Sequence, residues 1–106
     1  MLKITNTTVE TVDSETTLTS YAVEGTVTLA GDSIWGYSGK DEIAVSGIDV
    51  FTNNEDGYAN VNVGHDTTWD IYTDKGFEAA ISKLLGYEVT FTEQGMQDNG
   101  YASMEN

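Results

Sequence analysis

The 106 residues contain no cysteine, no arginine and no proline, and only four lysines. Without cysteine there is no disulfide, no thiolate metal site and no thiol nucleophile. Without arginine the chain lacks the bidentate fork that usually grips phosphate and carboxylate substrates. Four dispersed lysines stand against eighteen Asp and Glu, a formal net charge of −14. Phosphate backbones would be repelled by such a surface, so direct DNA or RNA binding is not expected. No stretch approaches the roughly 18 apolar residues of a membrane-spanning helix, and residues 1–10 lack the apolar core of a secretory leader. A membrane is therefore not an expected partner, and a cytoplasmic location is expected.

High charge raises the question of disorder. Against it, 39% of residues are hydrophobic and 10% are aromatic, a globular composition. The length suits a single domain, 1–106, able to bury a core without staples.

The dominant rhythm is period two. Tyr21, Val23, Val27 and Leu29 alternate with Glu24, Thr26 and Thr28, as in a half-buried strand, with Gly25 on the inner face. Ala30 to Ser33 reads as a turn into a short run, Ile34 to Tyr37, and a second turn leads to a strand over 42–51; the three are expected as antiparallel neighbours. Ile43 and Val45 are out of phase with Ile48 and Val50, which predicts a bulge at Gly47. Thr52-Asn53-Asn54-Glu55-Asp56-Gly57 is the strongest turn signal and should join 42–51 to a strand over 58–64. Trp69 to Tyr72 reads as a further short strand. One helix is predicted: Asp74 as N-cap, an apolar stripe of Phe77, Ala80, Ile81, Leu84 and Leu85, and Gly86 as the left-handed terminator. Alternation resumes at 88–92, and 94–106 reads as either a terminal hairpin or a loose tail. The fold class is thus α+β, a mainly antiparallel sheet of five to seven strands with one amphipathic helix near 74–85 packed on one face.

The motifs of common chemistries fail one after another. Gly31 to Ser38 approximates a phosphate loop, but Tyr37 stands where the lysine must be and no helix pattern follows. Aligned as a calcium loop, Thr52 to Val63 places Val63 where the bidentate Glu belongs, between flanks that read as strands. His65 is the lone histidine; adjacency to Asp66 does not place the two on one side of a strand, so it reads as a solvated or strand-end side chain rather than a base or metal ligand. Among eighteen acids some pair will match a glycosidase spacing by chance. No catalytic residue, cofactor or metal ligand is assigned, and an enzyme is not expected.

The acid excess read the other way gives the positive expectation. Carboxylates on a sheet, about 6.8 Å apart at alternate positions of a strand, could present a phosphate-like row to a basic protein surface. Glu24, Asp41, Glu42, Asp49, Glu55, Asp56, Asp66 and Asp70 are the candidate electrostatic contacts. Trp35, Tyr37, Tyr58, Trp69 and Tyr72 are the available aromatic anchors. In length, lack of cysteine and acid excess, the chain resembles the small accessory proteins of bacteriophages, including inhibitors of restriction and CRISPR systems. The resemblance covers no motif and assigns no residue. It implies a partner such as the nucleic-acid-binding groove of a nuclease or defence complex, and the host cytoplasm as location. The competing expectation is a small structural or assembly protein, a virion component or subunit adaptor, kept soluble by its acids. Neither expectation fixes the oligomeric state.

Overall fold

A computed structural model describes residues 1–31, 42–66 and 74–91, and the backbone of 99–103. In chain order it shows β1 (Leu2–Thr11), β2 (Thr16–Thr28), β3 (Glu42–Asn53), β4 (Tyr58–His65), α1 (Lys75–Leu85), β5 (Thr90–Phe91) and β6 (Asn99–Ser103). The strands form one antiparallel sheet in the order β1-β2-β3-β4-β6-β5, with four long strands and two short ones. This is the expected α+β class. The expected meander through residues 34–37 is not the arrangement: β2 and β3 pair directly, Tyr21 opposite Ile48 and Val27 opposite Ile43, which leaves no place for a strand between them. Residues 34–37 and 69–72 lie outside the described residues.

One face of the sheet carries the core. Val23, Val27 and Leu29 of β2 and its continuation, Ile43, Val45, Ile48 and Val50 of β3, and Ala59 and Val61 of β4 are buried with Phe77 and Ile81 of α1 and with Val89 and Phe91. The phase change in β3 is accommodated as the sequence indicates. The ladder to β4 shifts between Val45 and Gly47, leaving Ser46 unpaired, so that odd positions before it and even positions after it face the same core. Similar shifts occur at Thr5 of β1 and between Ala22 and Thr26 of β2, in one line across the sheet. At this line Gly25 has φ 116° and a Cβ there would run into the Met1 carbonyl, so only glycine fits.

The helix is held at its start by one carboxylate. Asp74 is 0% exposed; its Oδ1 accepts from Phe77 N at 3.0 Å and Ala30 N at 2.9 Å, and its Oδ2 accepts from Gly31 N at 2.8 Å. One side chain thus caps α1 and ties it to the chain leaving β2. Gly76 lies against the same segment; a Cβ there would sit 2.8 Å from both Ala30 N and Thr28 O. At the other end Gly86 takes φ 85° and donates to Ser82 O, the left-handed stop. Ser82 Oγ bonds the backbone of Val89, and the Glu78 carboxylate accepts from Phe91 N at 3.2 Å, so α1 also positions β5.

Two outcomes follow. Asp74→Ala removes the acceptor of three N–H groups, one buried and two partly buried, and should lower stability by about 3 kcal/mol, with Asp74→Asn intermediate, as read by urea unfolding. Gly76→Ala, which in an open helix would gain about 1 kcal/mol, should here destabilise by roughly 1–3 kcal/mol, because the backbone it meets cannot rotate away.

Candidate functional site

The sheet does not assemble the expected row of carboxylates. No two acids occupy alternate positions of any described strand, and the register sets none opposite another: Glu24 faces Lys3, Asp49 lies between Ser20 and Asn62, and Glu42 faces Thr28. Asp66 is committed to the backbone, its Oδ1 accepting from Ala44 N at 3.0 Å, which prolongs the β3–β4 ladder past His65. Asp41, Asp70, Trp35, Tyr37, Trp69 and Tyr72 lie outside the described residues.

Five of the twelve acids among the described residues lie at or beside two hairpin turns instead. The β1–β2 turn closes through Val12 N to Thr16 O at 3.0 Å, with Asp13 Oδ1 accepting from Glu15 N at 2.8 Å. In the β3–β4 turn Asn53 Oδ1 accepts from Glu55 N and Asp56 N, Gly57 takes φ 76°, and Asp56 Oδ1 accepts from Tyr58 N at 2.9 Å. Short polar side chains thus fold both turns from within. The turns are then bound to each other: Asn54 N donates to Glu15 O at 2.7 Å and Thr17 Oγ1 to Asn54 Oδ1 at 3.1 Å.

The result is an acidic tip carrying Glu10, Asp13, Glu15, Glu55 and Asp56, all exposed. Glu55 and Asp56 were candidates; Glu10, Asp13 and Glu15 were missed. The signal for them was Asp13-Ser14-Glu15, a turn signature in a threonine-rich stretch without apolar alternation. Lys3, Lys75 and Lys83 belong to the far end of the sheet, where α1 packs beside the start of β1 and the end of β2. At about 3.3 Å per residue, the length of β2 separates the two ends by roughly 40 Å.

Tyr58, on the face opposite the core, is 60% exposed and adjoins the tip. Beside it lies a shallow depression lined by Thr16, Phe51, Asn53, Asp56 and Asn60. The tip therefore has an exposed aromatic ring next to its carboxylates.

His65 stands at the end of β4 on the core face, half-buried, its ring edge-on to Phe77 with centroids 6.1 Å apart, so it is packed rather than solvated. A cleft of about 440 Å³ between α1 and the start of β1, bordered by Leu2, Val27, Ala80, Lys83 and Leu84, has neither a carboxylate nor a histidine on its described walls. Among the described residues no three acids or histidines gather where they could hold a metal ion, and no helix is long and apolar enough to cross a membrane.

The Tyr87 hydroxyl is buried without a hydrogen-bond partner among the described residues. Burial, with a smaller contribution from Tyr21, pushes its pKa up from 10.0 to about 12. The unfolded chain therefore releases this proton at lower pH than the folded one. Stability attributable to Tyr87 is complete below pH 10 and should be lost as pH rises toward 12. Comparing alkaline unfolding of the wild type with Tyr87→Phe, which should remove that part of the decline, checks it.

No family model, curated protein or solved structure matches the chain.

Proposed function

We propose that the protein is a non-enzymatic acidic binding protein that places its tip against a basic protein surface and competes there with nucleic acid. The observation that supports this reading is the joining of two hairpin turns into one end bearing Glu10, Asp13, Glu15, Glu55 and Asp56 beside an exposed Tyr58. Carboxylates at that density attract a Lys- or Arg-rich groove over a Debye length of about 8 Å at physiological salt. Tyr58 offers a face on which a guanidinium can stack, worth roughly 0.5–2 kcal/mol as the site desolvates. Inhibition of a nuclease or defence complex is the concrete form of this reading.

A structural or assembly role draws on a different observation: the outer edge of β1 pairs with no strand among the described residues.

The first reading is checked by titrating the chain into complexes of basic nucleic-acid-binding proteins with fluorescent duplex DNA. Stoichiometric release of DNA from a target is expected, weakening steeply with ionic strength. Glu15→Lys with Glu55→Lys should cost at least tenfold in affinity, about 1.4 kcal/mol, whereas Glu42→Lys, opposite Thr28 at the other end of the sheet, should change it less than twofold. Displacement indifferent to salt and to the tip variants would reject the reading.

A further inference from the structure

We propose that the chain forms a two-fold homodimer through antiparallel pairing of β1 with β1 of a second copy, centred on Thr7. β1 is the long edge strand of the sheet, and its outer N–H and C=O groups meet no strand among the described residues, a template for strand addition. In an otherwise strongly acidic chain it bears only Lys3 and Glu10, one charge of each sign.

The bulge at Thr5 selects the arrangement. Residues opposite one another in an antiparallel pair share a face. Before the bulge Leu2 and Ile4 lie on the core face, opposite Gly25 and Val23; after it Thr7, Val9 and Thr11 do, opposite Tyr21, Thr19 and Thr17. With Thr7 opposite Thr7 of the second copy, each bulge passes as two residues opposite Thr8, and the faces then agree along the whole strand. Ile4 meets Val9 and Leu2 meets Thr11 on the core face, while Lys3 meets Glu10 on the other face, each pair occurring twice. Moving the centre to Thr8 keeps the faces in phase but sets Lys3 opposite Val12 and loses both ion pairs.

Val9 supplies an independent reason. It is 68% exposed although it lies on the core face, in one row with Thr19, Val50 and Val61, the last two buried. Pairing through β1 continues that row into Ile4 of the second copy. It also sets each acidic tip beside the Lys3 end of its partner, so the two negative ends point apart.

The test is sedimentation of the whole chain up to millimolar concentration at about 0.15 M salt, combined with charge swaps and cysteine scanning. A concentration-dependent dimer is expected. Lys3→Glu or Glu10→Lys alone should weaken it at least tenfold, and the double swap should restore it. Since the chain has no native cysteine, Thr7→Cys should oxidise in air to a covalent dimer, because opposed Cα atoms at about 4.5–5.5 Å lie within disulfide range. Thr11→Cys should not, because its two copies would be roughly 27 Å apart along the strands. Thermal melts of each variant separate lost pairing from lost folding. A monomer at all concentrations, equal cross-linking of the two cysteine variants, or a double swap that folds without restoring the dimer would each overturn the proposal.

Discussion

The position of α1 on the sheet depends on the buried carboxylate of Asp74. A charged group at 0% exposure is tolerable only when its lone pairs are engaged, and here three backbone N–H groups from two separate segments converge on it. Because the acceptor oxygens are fixed relative to the first turn of α1, the helix cannot slide along the sheet without stranding Ala30 and Gly31. That constraint brings Phe77 into the core, where it meets His65 edge-on and Phe91 at 5.1 Å between ring centroids. It also places Glu78 where it can hold β5. In a chain of eighteen acids, one of them is thus fully buried and holds the helix to the sheet.

The helix was legible because its signals are local. Asp74, the stripe from Phe77 to Leu85 and Gly86 occupy thirteen consecutive residues, and each acts on neighbours within one turn. The Asn53–Gly57 turn and the phase break near Gly47 were legible for the same reason. β1 was not: from Thr5 onward both of its faces are exposed, so no apolar alternation marks it as a strand, and its pairing with β2 rests on backbone hydrogen bonds that any sequence can make. The direct pairing of β2 with β3 was hidden by Ile34 to Tyr37, an apolar run between them that reads as a strand when taken alone.

The candidate site divides along the same line. Glu55 and Asp56 were readable because they belong to a strong turn signal, whereas Glu10, Asp13 and Glu15 become their neighbours through the pairing of Thr16 with Asn53 and the contacts of Asn54 with Glu15 and Thr17. Those contacts span some forty residues of sequence, and no pattern of residue types announces them. The expectation of a strand-borne row failed for a related reason. A row needs acids at alternate positions, and β2, β3 and β4 put Thr, Ser, Asn and Gly on most of the outer-face positions between their few charges, residues that keep a solvated sheet face neutral and adaptable.

Concentrating carboxylates at the turns has an electrostatic consequence. Two unit charges 4 Å apart in bulk water repel by about 1 kcal/mol, and the loop tips are where solvent screens them best. The two turns are held together, because the β1–β2 and β3–β4 ladders fix both and a 2.7 Å hydrogen bond holds one against the other. In the proposed binding role such a tip attracts a basic partner by direct charge complementarity. In that role the sheet would fix the backbone of both turns before a partner arrives.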